Sequence, residues 1–187
     1  MQITNYNYKN YKGGIQNWGI TVSPGQVLYS SNNNGLLRYN GNDWTLLEPG
    51  ERSTVRTVRC IGDRIYTAGD NNIGYWQYDV NGKINYTSLL PLVNKLGIKG
   101  ETFWSIAETE GKVYFHSFGN IIWYDGKDMG YLVKNDCCCL LRANLSTKEI
   151  SVIMGIALRS VELKKYRLKQ KLNLDANSSL TSYILSI

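Results

Sequence analysis

Gly35-Leu36-Leu37-Arg38-Tyr39-Asn40-Gly41, set behind Trp18-Gly19-Ile20-Thr21-Val22 and Gln26-Val27-Leu28-Tyr29 and closed by Trp44, decides the fold of this chain. Short apolar and aromatic runs alternate there with glycine and asparagine turn signals, which is how antiparallel strands read. The pattern recurs. A second unit runs Val55-Arg56-Thr57-Val58-Arg59, Asp63-Arg64-Ile65-Tyr66 and Ile73-Gly74-Tyr75-Trp76-Gln77-Tyr78-Asp79. A third runs Phe103-Trp104-Ser105-Ile106-Ala107, Lys112-Val113-Tyr114 and Asn120-Ile121-Ile122-Trp123-Tyr124-Asp125-Gly126. Tyr29, Tyr66 and Tyr114 lie 37 and 48 residues apart, and Tyr39, Tyr78 and Tyr124 follow them by 10, 12 and 10. Those intervals bracket the roughly 40–45 residues of a four-stranded propeller blade. Residues 1–133 therefore predict a partial β-propeller of about three blades, fewer than the four or so that close a ring. An open array of this kind leaves blade edges exposed, which invites pairing with other chains.

Past Val133 the text changes. Residues 1–133 hold 12 Lys and Arg against 11 Asp and Glu, a net of +1. Residues 134–187 hold 9 against 4, a net of +5, so five of the chain's six net positive charges sit on its last 54 residues. A basic module beside a nearly neutral one is the electrostatic footprint of a nucleic-acid-binding unit. Within it, Leu145-Ser146-Thr147-Lys148-Glu149-Ile150 reads as a short helix, capped by Ser146 with Glu149 completing a capping box. Ile150, Ile153 and Met154 share one face of that helix. Gly155 then supplies a turn. A longer basic helix follows through Gly155-Ile156-Ala157-Leu158-Arg159-Ser160-Val161 and ends at Leu172-Asn173-Leu174, with Val161, Leu168 and Leu172 as its inward stripe. Helix, turn and helix in this order suit entry into a DNA major groove.

From Leu145 to Leu174 this text resembles the DNA-binding module of LuxR/GerE-type transcription regulators. The resemblance implies a small all-α helix-turn-helix bundle over residues 134–187 with double-stranded DNA as partner. By similarity, Arg159, Ser160, Glu162, Leu163 and Tyr166 face the groove and set sequence preference. Lys164, Lys165, Arg167 and Lys169 clamp phosphates, and Thr147 and Lys148 from the first helix join the DNA-binding set. Leu163 and Tyr166 read alternatively as core residues. Ala157 departs from the pattern where a serine often caps the recognition helix. Glu162 puts a negative charge near DNA, where it suits a cytosine amine. The tail Leu180-Thr181-Ser182-Tyr183-Ile184-Leu185-Ser186-Ile187 reads as the short fourth helix of such modules, capped by Asn177 and Ser178 and available for homodimer contacts.

The β units resemble the two-component-regulator type of propeller repeat, carried mainly by Tyr11-Lys12-Gly13-Gly14-Ile15-Gln16-Asn17-Trp18 and Asn34-Gly35-Leu36-Leu37-Arg38-Tyr39-Asn40-Gly41. In regulators of that type a sensor propeller is joined through a β-sandwich, a membrane helix and a coiled coil to a LuxR-type module. Here the middle is absent: no run reaches the roughly 18 apolar residues of a membrane helix, and Met1 to Lys12 has no apolar signal-peptide core. The expectation is a multidomain chain, β then α, located in the cytoplasm and shortened relative to a membrane-spanning regulator. A purpose-built small regulator is the alternative history.

Catalytic chemistry finds no support in the sequence. The one histidine, His116, lies in an alternating strand, and no phosphate-cradling glycine loop is present. Cys60 reads as a strand residue filling apolar space. Cys137, Cys138 and Cys139 are consecutive, lack metal-ligand spacing, and read as the packed start of a helix. Unpaired thiols suit a reducing compartment. We therefore expect no enzyme, metal or cofactor. Trp18, Trp44, Trp76, Trp104 and Trp123 read mostly as blade-to-blade packing; the resemblance to propeller sensors implies the alternative that exposed ones stack on sugars. Two functions follow: a DNA-binding transcription regulator with a sensor-like β part, or a β interaction module with an unknown ligand whose C-terminal helices only pack or dimerise.

Overall fold

Alternation dictates the strands, and the turns between them fix the sheets. A computed structural model describes residues 4–50, 54–134, 146–148, 151, 157–175, 177–180 and 182–183. The first sheet holds β1 (Asn17–Val22), β2 (Leu28–Asn32), β3 (Gly35–Tyr39) and β4 (Trp44–Leu47). The second holds β5 (Val55–Ile61), β6 (Arg64–Gly69), β7 (Asn72–Tyr78) and β8 (Ile84–Ser88). The third holds β9 (Phe103–Thr109), β10 (Lys112–Ser117), β11 (Asn120–Tyr124) and β12 (Met129–Lys134). Each is an antiparallel meander in chain order, the form a propeller blade takes. β5 lies alongside both β1 and β9, so the first strand of each sheet forms an inner row.

Two apolar seams join the sheets. Tyr29 and Leu36 of the first sheet meet Val58, Ile65 and Trp76 of the second. Tyr66, Ala68 and Ile73 on the second sheet's other face meet Phe103, Ile106, Val113, Phe115, Ile122 and Tyr124 of the third. Leu89, Val93 and Ile98, in and around α2 (Leu90–Lys95), cover the second seam. Pro91 lies in the first turn of α2, where its missing N–H costs no intrahelical bond. The short α1 (Tyr8–Tyr11) packs on β4, with Asn7 and Asn10 forming its reciprocal cap. Tyr6 lies against Tyr39 and Trp44, with ring centroids 5.4 Å away in each case.

Cross-strand register corrects the sequence alignment of the repeats at one point. Tyr29 pairs with Arg38, Tyr66 with Tyr75 and Tyr114 with Trp123, which makes those tyrosines equivalent. The residue following each partner is then Tyr39, Trp76 and Tyr124. Tyr78 belongs to an extension of β7, which has seven residues where β3 and β11 have five. Trp76, not Tyr78, occupies the repeat position, and its indole N–H donates to Thr67 Oγ1 at 3.2 Å.

In the C-terminal part the described helix is α3 (Leu158–Lys171). It begins at Ala157, which offers no side-chain cap, and ends before Asn173, whose φ of 51° stops it. Val161 and Leu168 are buried as the stripe requires, and Leu172 is half-buried. Thr147, Lys148 and Ser151 are helical. Glu149, Ile150, Ile153, Met154 and Gly155, on which the rest of the first helix and its turn depend, lie outside the described residues, as do Cys137 to Cys139, Thr181 and Ile184 to Ile187. The tail is capped one residue later than expected. Ser179 Oγ, rather than Asn177 or Ser178, accepts the Ser182 amide at 3.2 Å, and Leu180 is buried behind it. Among the described residues no helix is long and apolar enough to cross a membrane.

Candidate functional site

Each inner strand carries one irregularity near its start. Pairing skips from Asn17 to Gly19 in β1, from Val55 to Thr57 in β5, and from Ser105 to Phe103 in β9. The residues skipped are Trp18, Arg56 and Trp104, at equivalent places in the three repeats. A bulge of this kind re-aims a side chain away from the regular pleat. Here it sends all three toward one another at the same end of the inner row. The Arg56 guanidinium carbon lies 4.2 Å from the centroid of Trp18 and 5.2 Å from that of Trp104. The two indoles approach at 6.4 Å, edge to face.

The turn after the second strand of each sheet supplies a partner to its own bulged residue. Trp18 Nε1 donates to Asn33 Oδ1 at 2.7 Å. Arg56 donates from Nε to Asp70 Oδ1 at 3.2 Å and from Nη2 to Asp70 Oδ2 at 2.9 Å. Trp104 meets Phe118 with centroids 5.4 Å apart. Asn33, Asp70 and Phe118 are thus equivalent in position and different in chemistry. Gly69 makes the middle bulge feasible, because a Cβ there would meet the Thr54 carbonyl and sit 2.9 Å from the Arg56 amide nitrogen. Burial raises the Asp70 carboxyl, but the hydrogen bonds from Arg56, Thr102 and Thr54 and the Arg56 charge outweigh it and hold the group below its ordinary value. The cluster faces water: Trp18 is 42% exposed, Trp104 37% and Phe118 56%.

An aromatic surface with fixed polar groups at its rim can stack on a flat apolar ligand face and hydrogen-bond its edge. Trp18 and Trp104 meet each other and Arg56 across the three sheets and are also exposed, which leaves their outer surface open to a ligand. Trp76 is buried in the first seam, as a blade-to-blade residue should be, whereas Trp44 stacks at 4.7 Å on Tyr39 of its own sheet and so packs within a blade. Aligning Ile20, Val58 and Ile106 in the three repeats would have put Trp18, Arg56 and Trp104 in one column. That was the available signal.

The DNA-binding residues expected from the sequence fall on α3 and just before it. Arg159, Glu162, Leu163, Tyr166 and Arg167 share one exposed face, opposite buried Val161 and Leu168. Leu163 and Tyr166 are therefore not core residues. Ser160 is exposed in the first turn, while Lys164, Lys165 and Lys169 are half-buried. Lys165 Nζ donates to Thr147 Oγ1 at 2.7 Å, tying α3 to the preceding helical residues, and Lys148 is exposed. Gln170 Nε2 donates to the Tyr166 hydroxyl at 2.9 Å. His116 Nδ1 lies 3.0 Å from Ser105 Oγ across adjacent strands. Cys60 is half-buried in β5, and burial pushes its thiol up.

Neither a protein-family model nor a curated protein matches this chain. Solved structures with a likeness to it include the extracellular domain of the hybrid two-component system BT3049 from B. thetaiotaomicron, at 18% identity and a TM-score of 0.47, over 64% of this chain and 18% of that one. The extracellular domain of BT4673 from the same organism is similar at 13% identity in two structures, with TM-scores of 0.32 and 0.34. These cover 65% and 68% of this chain, and 22% of that one in each case. The chain thus spans about a fifth of the length of the structures it matches. All three are extracellular domains, and the cytoplasmic location expected from the sequence is withdrawn on that ground.

Proposed function

We propose that the β region is the signal-receiving part of a two-component-type regulator, and that the cluster of Trp18, Arg56, Trp104 and Phe118 is its ligand-contacting surface. The observation that carries this reading is the convergence of three bulged residues, one from each sheet, into one cluster in which two exposed indoles flank a guanidinium. A strand bulge at the same place in three repeats, each backed by its own turn residue, is a feature the two apolar seams do not need. The ligand class the surface suits is a small polyhydroxylated ring, such as a saccharide, whose apolar face stacks on indole while its hydroxyls meet Asn33, Asp70 and Arg56. Titration of the intact protein with a panel of neutral oligosaccharides, followed by tryptophan fluorescence and calorimetry, tests it. Saturable binding that falls by about tenfold or more in Trp18→Ala or Trp104→Ala is expected, as for truncation of a central aromatic contact. Binding that survives both substitutions would place the ligand elsewhere.

A second reading rests on a different observation, the exposed face of α3. Arg159, Glu162, Leu163 and Tyr166 present mixed basic, acidic, apolar and aromatic groups along one side, as a groove-reading helix does. In this reading Ser160 joins that face, while Thr147, Lys148, Lys164, Lys165, Arg167 and Lys169 contact phosphates. Affinity for duplex DNA should then fall steeply with salt. It should weaken further in Arg159→Ala combined with Arg167→Ala. Salt-insensitive binding, or none, removes DNA as the partner.

A further inference from the structure

The three sheets use the same junction twice, and each outer sheet carries half of a third. Register makes Ile20, Val58 and Ile106 equivalent, since they pair with Ser30, Thr67 and Phe115. Val58 and Ile106 face the preceding sheet and are 7% and 5% exposed, whereas Ile20 is 66% exposed. Leu28 stands where Ile65 and Val113 are buried, and it is only half-buried. Val22, beside it on β1, is exposed. The opposite face behaves the same way at the other end. Tyr29 and Leu36, then Tyr66 and Ile73, are buried against the following sheet. Their equivalents Tyr114 and Ile121 are half-buried, as is Trp123 next to them. Among the described residues no sheet covers either surface.

We propose that this chain associates head to tail with a second copy of itself, the third sheet of one seating on the first sheet of the other. The argument is continuity with an existing interface. Tyr114 and Ile121 hold the positions that twice inside the chain receive a face like that of Ile20 and Leu28. Within one molecule these two surfaces lie on opposite sides of the array and cannot meet. Between copies they are the two halves of one junction. A junction between unlike faces either closes a ring or runs on as a filament. Two copies supply six sheets, inside the range of about four to eight that closes a propeller, so the closed pair is the assembly the geometry points to. The helix α1 covers the outer part of the first sheet, where Tyr11 is buried and Tyr6 meets Trp44. Sheets radiating from a common axis are farthest apart at their outer strands, so α1 fits as a wedge there while β1 and β2 make contact.

Light scattering and sedimentation of the full chain across a dilution series test the proposal. The expected result is a pair that dissociates on dilution. Ile20→Asp, at an already exposed position, should give a monomer with unchanged β circular dichroism. Ile20→Ala, which adds no charge, should weaken the pair by several-fold. Tyr114→Asp should also give a monomer, yet mixing it with Ile20→Asp should restore a pair, because one intact junction remains between the two variants. A folded wild type that stays monomeric at high concentration would overturn the proposal. So would an Ile20→Asp chain that pairs as well as wild type, which would place the contact at the C-terminal helices instead.

Discussion

Arg56 holds its guanidinium between two indoles and against one carboxylate, and no one of these contacts would fix it alone. A cation over an exposed aromatic ring contributes about 0.5–1 kcal/mol, and a partly exposed ion pair about as much. Together they orient a long side chain that would otherwise sample many rotamers. Asp70 is the member that can be titrated away. Its folded value lies below the ordinary 3.8, so its contribution is complete above the unfolded value and is lost as pH falls through the folded one. Wild type should therefore lose stability more steeply below about pH 4 than Asp70→Asn does. At neutral pH Asp70→Asn should cost about 0.5–1 kcal/mol, discounted for solvent screening. Chemical denaturation at pH 7 and at pH 3.5 checks both; identical pH profiles for the two proteins would show that the carboxylate does not act through Arg56.

Strands and helices were legible to different depths, for physical reasons. Apolar alternation and turn residues located all three sheets, because both signals are local. The bulges at Trp18, Arg56 and Trp104 were not legible, since a skipped pair exists only between two strands. The seven-residue β7 misled the alignment to Tyr78 for the same reason: its extra residues lie beyond the paired core of the repeat. On α3 the buried stripe of Val161 and Leu168 followed directly from helical spacing. The weak start at Ala157 was also readable, and it is correctable. Ala157→Ser should supply the missing cap and stabilise the helix by about 0.5–2 kcal/mol. The gain would appear as helical circular dichroism persisting to higher temperature; no change would mean that α3 is held by its buried face alone. The tail was read correctly as helical around Leu180, but its cap was misplaced because Asn177, Ser178 and Ser179 are all competent residues in a row.

At the scale of the molecule, the second sheet belongs to both seams, so the three sheets should unfold together. Leu36→Ala in the first seam should cost about 2–5 kcal/mol and Phe115→Ala in the second about 3–5. Each should shift one shared β transition rather than split it. Two separate transitions in either variant would show that the sheets are thermodynamically independent. The unequal charge of the two parts, +1 over residues 1–133 and +5 over residues 134–187, means that salt should act mainly on the second. The pairing of one bulged residue with one turn residue in every sheet carries a further consequence for how such a surface changes over time. Trp18 with Asn33, Arg56 with Asp70, and Trp104 with Phe118 are interchangeable cassettes on a common frame. A pair of substitutions rewrites a cassette without touching the seams on which folding depends. If this surface receives a ligand as proposed, its specificity can therefore drift sheet by sheet while the architecture stands still.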